Sequence, residues 1–132
     1  MHKSISGQLI IADQVVDNYE ARAHCIQNVR NEVRIRTFPS VTLFYLWAKV
    51  LFFGTDEGVV FIKVYDSNQQ IVWQKKCDEL VNKRQGHVPA GTDMAFQPRF
   101  VVHDEGLFHF VMTDVDGHTL AHYPLYISKA VS

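Results

Sequence analysis

Short apolar runs rich in Val, Ile, Phe, Tyr and Trp recur along the chain, separated by clusters of Asp, Asn, Ser and Gly. That pattern predicts strands and turns. It places strands near 7–16, 21–29, 32–37, 41–53, 59–66, 70–76, 94–102, 107–113 and 118–127. The separators have turn chemistry. Asp17-Asn18 can turn the chain through side-chain to backbone bonds. Gly54-Thr55-Asp56-Glu57-Gly58 is a polar loop, Asp66-Ser67-Asn68 a tight turn, and Asp114-Val115-Asp116-Gly117 ends in a hairpin signal. Cys77 to Arg84 is the one helix candidate, weighed against a polar crossover between two sheets, which is the favoured reading. Gln85 to Thr92 holds two Gly and a Pro and reads as loop.

Many strands without long helical crossovers exclude a parallel α/β fold. The expected architecture is all-β: a single antiparallel β-sandwich domain over residues 1–132, immunoglobulin-like. A C2-like or jelly-roll sandwich is the alternative, because strand order is not written in one sequence. In 59–65, Val60, Ile62 and Val64 share one face, while Val59, Phe61, Lys63 and Tyr65 make a mixed face. The 41–53 run is apolar on both faces. Phe44, Leu46, Ala48, Val50 and Phe52 lie on one side; Leu43, Tyr45, Trp47, Leu51 and Phe53 on the other. A sandwich strand buries one face in the core, so the second face needs a loop, a helix or another subunit over it.

Asp104-Glu105-Gly106-Leu107-Phe108-His109-Phe110 resembles the Asp-x-Gly-x-Tyr-x-Cys segment that opens strand F of immunoglobulin domains. Phe108 stands at the Tyr position and Phe110 at the Cys position, so neither the tyrosine corner nor the inter-sheet disulfide can form. A second resemblance covers nearly the whole chain. It is carried by Leu9-Ile10-Ile11-Ala12-Asp13-Gln14-Val15, by Asp17, by Phe38-Pro39 before a strand, and by the ending Asp116-Gly117-His118-Thr119-Leu120-Ala121-His122-Tyr123-Pro124-Leu125-Tyr126-Ile127. These resemble small bacterial β-sandwich proteins classed as a domain of unknown function. The chain departs from that pattern between Ala21 and Arg36, where the family has a Gly-containing apolar segment. The resemblance implies a fold and brings no catalytic residue or ligand.

Composition narrows the classes. With 47% apolar and 20% charged residues in 132, the chain can bury a core, so disorder is excluded. Thirteen Lys+Arg against fourteen Asp+Glu give a net charge of -1, which removes bulk attraction to nucleic acid or an anionic membrane. Two Cys cannot make a disulfide scaffold. The apolar run 41–53 is shorter than the roughly 20 residues a bilayer-crossing helix needs. The N-terminus lacks a signal-peptide core, so a cytoplasmic protein with free thiols and no membrane partner is expected.

Several constellations bear on chemistry. His109 and His122 fall on the last hairpin. A two-residue turn at Asp116-Gly117 would set His109 opposite Pro124; a loop over Asp114 to Gly117 would set it opposite His122. Two cross-strand His could hold a transition metal given a third ligand; otherwise they are half-exposed residues on a solvated face. Asp114-x-Asp116-Gly117 lacks the calcium loop's closing Glu, since Leu125 stands at position twelve. His24 and Cys25 are adjacent on a strand and point apart, and Cys25 reads as a small core residue. Cys77 follows Lys75-Lys76, cations that can activate a thiol. Arg34 and Arg36 share a strand face, with Arg30 and Lys49 in reach, as a weak nucleic-acid surface would need. No phosphate loop, nucleophile elbow or zinc motif occurs. The expected function is a non-enzymatic interaction module without a cofactor, self-associating through Tyr45, Trp47, Leu51 and Phe53. A metal-dependent protein using His109 and His122, or a weak nucleic-acid binder, is the alternative.

Overall fold

A computed structural model describes residues 4–18, 20 and 23–131. The elements are β1 (Ser4–Asn18), β2 (Ala23–Val29), β3 (Glu32–Ile35), β4 (Ser40–Val41), β5 (Tyr45–Phe53), β6 (Glu57–Tyr65), β7 (Ile71–Val81), β8 (Gly91–Phe96), β9 (Val101–Val102), β10 (Gly106–Thr113) and β11 (Thr119–Lys129). The described residues contain no helix, and so none long and apolar enough to cross a membrane. One sheet has the order β2-β1-β5-β8, the other β3-β11-β10-β6-β7. They pack as a β-sandwich, with a small β4-β9 ladder beside them.

Period-two alternation decides which side chains enter the core. Leu9 and Ile11 of β1 and Leu46, Ala48, Val50 and Phe52 of β5 line one inner face. Val60, Ile62 and Val64 of β6, Phe108, Phe110 and Met112 of β10, and Leu125 and Ile127 of β11 line the other. Each fully buried aliphatic or aromatic side chain contributes about 1.5–3 kcal/mol of transfer free energy. Gly7 lets the sheets approach: a Cβ there would run into the Met112 sulfur. Phe108 is buried and packs on Phe100 with ring centroids 5.7 Å apart.

Three expectations need correction, and one is refined. The helix over Cys77 to Arg84 does not form. β7 runs on to Val81 and pairs with the start of β6, Val81 opposite Glu57 and Leu80 opposite Gly58. A short polar helix has a costly nucleus, and ladder pairing with an existing strand wins. The polar crossover to the other sheet begins only at Asn82.

Both long strands break. The 41–53 run becomes β4 and β5, and the 94–102 run becomes β8 and β9. Pro98 has no N–H to give a ladder and is itself buried. The buried Thr42 hydroxyl joins the two breaks. It donates to the Pro98 carbonyl at 2.7 Å and accepts from the Phe100 N–H at 3.2 Å.

Cys25 is exposed and outside the core, because β2 is an edge strand with only Ile26 half-buried. Finally, the sheets are not wholly antiparallel. β3 lies parallel to β11, with Glu32 opposite Tyr126 and Val33 opposite Ile127. Parallel neighbours need a long connection, and the chain between Ile35 and Thr119 supplies it.

Candidate functional site

A cleft of about 680 Å³ opens between β3 and the β4–β5 link. Its apolar lining comes from the core: Phe44, Val102 and Ile127 are buried, and Val33 and Ile35 of β3 are half-buried. Val41 and Leu43 stand at the mouth, 47% and 72% exposed. Strand breakage creates this place, since the chain leaves the sheet at Thr42 to Phe44.

Charged residues at the cleft are paired with one another. Arg30 donates through Nε to Asp13 Oδ1 at 2.9 Å and through its Nη2 to Oδ2 at 2.6 Å. Asn28 adds a third donor to the same carboxylate. The Arg30 hydrogen bond holds the Asp13 carboxyl below its ordinary range, against a small opposing effect of burial. Tyr123 donates its hydroxyl to the Arg30 carbonyl. On β3, Arg34 Nε donates to Glu32 Oε1 at 3.3 Å, and Ser128 donates to the same Glu32. Arg30 and Arg34 therefore line the cleft as neutralised pairs. The basic cluster expected for nucleic acid is divided, because Lys49 sits over the Trp47 ring on another face.

β3 ends its sheet, and among the described residues no strand pairs with its outer side. The carbonyls of Asn31 and Ile35 accept from Tyr126 and Ala130 on the β11 side. Backbone groups alternate between the two edges of a strand. Those of Glu32 and Arg34 therefore point away from β11, to the open edge.

The final hairpin takes the first of the two expected registers. His109 lies opposite Pro124 and Val111 opposite His122. The loop nevertheless spans Asp114 to His118, and a bulge after Met112 restores the register. His109 and His122 still meet, on the diagonal: Nδ1 to Nε2 is 2.7 Å, with rings stacked at 5.0 Å. The strand beside them offers Tyr65 opposite His109 and Lys63 opposite Val111. Neither is a carboxylate or thiolate that could complete a three-ligand set. Among the described residues, the one group of three donors is Asp114, Asp116 and His118. Asp114 Oδ1 there accepts the backbone N–H of both Asp116 and His118, as a closed turn requires. Burial pushes the Asp114 carboxyl up, but the hydrogen bonds from His118 and Asp116 outweigh it and the net shift is downward.

The outer face of β5 is partly covered from within the chain. Trp47 is 6% exposed, with His24 edge-on at 6.1 Å. His24 also reaches Asp17 at 2.6 Å and Asp93 at 3.2 Å, and Arg84 holds Asp93 at 3.0 Å. Two strands separate β2 from β8, roughly 14 Å at about 4.8 Å per strand. The β1–β2 hairpin must therefore fold back over the sheet. Of the four residues expected at an interface, Tyr45 and Leu51 are half-buried and Phe53 is 48% exposed. Sequence reasoning missed His24 as the cover for Trp47, and missed Asp13, Glu32 and Thr42. Arg30 lies 17 residues from Asp13, Asp93 69 from His24, Ser128 96 from Glu32 and Pro98 56 from Thr42, and no local spacing announces these partners.

Burial pushes the Cys77 thiol up, and the nearby Lys75 only partly offsets it. Activation by Lys75-Lys76 does not win over desolvation. Iodoacetamide on the native protein is expected to alkylate Cys25 readily and Cys77 at least about tenfold more slowly, because burial both raises the Cys77 thiol and restricts access to it. Peptide mass mapping reads this directly, and equal labelling of the two would contradict it.

No protein-family model matches the chain, and no curated protein matches it.

Proposed function

We propose that the protein is a non-enzymatic interaction module that engages an extended polypeptide along the cleft beside β3. The observation that carries this reading is an open strand edge next to an apolar cleft of about 680 Å³. Free backbone groups give affinity to an added strand, and pockets for alternate side chains give it preference. The acids and bases at the cleft are engaged with one another, which suits recognition rather than proton transfer. An immunoglobulin-like arrangement is part of the proposal. It is supported by β3, which turns parallel to the last strand, and by the β10–β11 hairpin beside β6 and β7. The family resemblance to small bacterial β-sandwich proteins points the same way.

The test uses extended peptides selected from a displayed random library and titrated into isotope-labelled protein. Amide shifts are expected at Glu32 and Arg34, whose N–H groups face the open edge, and at Thr42 and Phe44 in the cleft wall. Peptides that shift only residues of other surfaces would remove the cleft from the proposal. Saturable zinc binding at His109 and His122, with no peptide response, would move the function to the metal reading.

A further inference from the structure

We infer that the strand added at β3 is the β3 of a second copy of this chain, paired antiparallel about a two-fold axis at Val33. This rests on the reading of the cleft edge as a strand-binding site and names its occupant. The open edge presents the backbone groups of Glu32 and Arg34. Centring the pair on Val33 sets Glu32 opposite the partner's Arg34, and Arg34 opposite the partner's Glu32. Those are hydrogen-bonded positions, so each residue exchanges both backbone bonds with the one it faces. The same register joins two intrachain Glu32–Arg34 pairs, each 3.3 Å apart, into a ring of alternating charge. Registers that put Glu32 on itself or Arg34 on itself would face like charges, which is unfavourable across strands. Arg36 would meet the partner's Arg30, whose charge Asp13 already neutralises at 2.6 Å.

The opposite edge of the same sheet makes the contrast. β7 carries Lys75 and Lys76 and a left-handed Glu79 (φ 56°), devices that block edge pairing. β3 is short and charged too, but its two charges are of opposite sign and it carries no left-handed residue. Its neighbour Leu43, 72% exposed at the cleft mouth, gives the arriving strand apolar surface. An isologous contact of this kind closes at two copies and yields one continuous sheet across the dimer.

The experiment is sedimentation of the full chain at rising concentration, with charge-reversal variants. The wild type is expected to shift from 15.2 kDa toward twice that mass. Arg34→Glu alone and Glu32→Arg alone should each weaken dimerisation about tenfold or more, because two attractive pairs become repulsive. An equimolar mixture of the two variants restores opposite charges at both positions and should form a heterodimer. The double variant Glu32→Arg/Arg34→Glu should dimerise again. Circular dichroism and thermal melts check that each variant folds. A wild type that stays monomeric at millimolar concentration, while selected peptides still shift the cleft amides, overturns the second copy and leaves the module standing. A dimer indifferent to both single reversals also overturns it. Loss of both dimer and peptide response removes the module as well.

Discussion

Phe110→Ala is expected to lower the unfolding free energy by about 3–5 kcal/mol, the range for emptying a large aromatic site in a core. Phe110 is fully buried and is the largest such side chain in the sandwich. Its ring meets Phe44 edge-on at 5.8 Å and Phe100 at 6.4 Å. Those contacts tie β10 to both strand breaks, so the cavity cannot collapse without moving the β4–β9 ladder. A domain of this size holds only about 5–15 kcal/mol in total. The variant should therefore melt roughly 10–20 °C lower. Urea denaturation is the measurement, with a drop in midpoint at unchanged slope. A loss under about 1 kcal/mol would mean that the site repacks freely, against the close packing described for this core. Phe110→Leu keeps most of the volume and should lose less.

Thr42→Val is expected to cost about 2–4 kcal/mol although it keeps the side-chain shape. The substitution leaves the Phe100 N–H and the Pro98 carbonyl buried without the hydroxyl between them. Each unpaired buried group costs about 1–3 kcal/mol. The signature is local as well as global. Amide exchange at Phe100 should accelerate beyond what the loss of global stability explains, since its hydrogen-bond acceptor is gone. Thr42→Ser retains the hydroxyl and should keep that protection, losing only a methyl group's worth of burial. Unchanged exchange at Phe100 in the Val variant would show that the bond does not hold the break together. The prediction bears on function, because Thr42 also lines the cleft.

Most strand positions follow from alternation alone. Val60, Ile62 and Val64, and Phe44, Leu46, Ala48, Val50 and Phe52, are buried as their spacing requires. The failures share a cause. At Cys77 to Val81 a polar, weakly apolar stretch was recruited by the free start of β6, a partner that a local window does not contain. At Cys25 strand alternation points to a core position, yet β2 is an edge strand exposed everywhere but at the half-buried Ile26. At 41–53 continuous hydrophobicity concealed a break that Thr42 makes with residues more than fifty positions away. The His109–His122 meeting was legible as a possibility, because hairpin geometry is local. The cleft was not legible at all.

Read alone, the chain determined its class: period-two hydrophobicity, turn chemistry and the absence of room for helices leave a layered β structure. Those are near-neighbour effects, set by bonds and side-chain directions within a few residues. Tertiary structure decided which strand became an open edge, which charges neutralised one another and where the apolar cleft lies. Such outcomes depend on which distant segments share water-excluded space. That competition is settled only when both sheets have closed on one core.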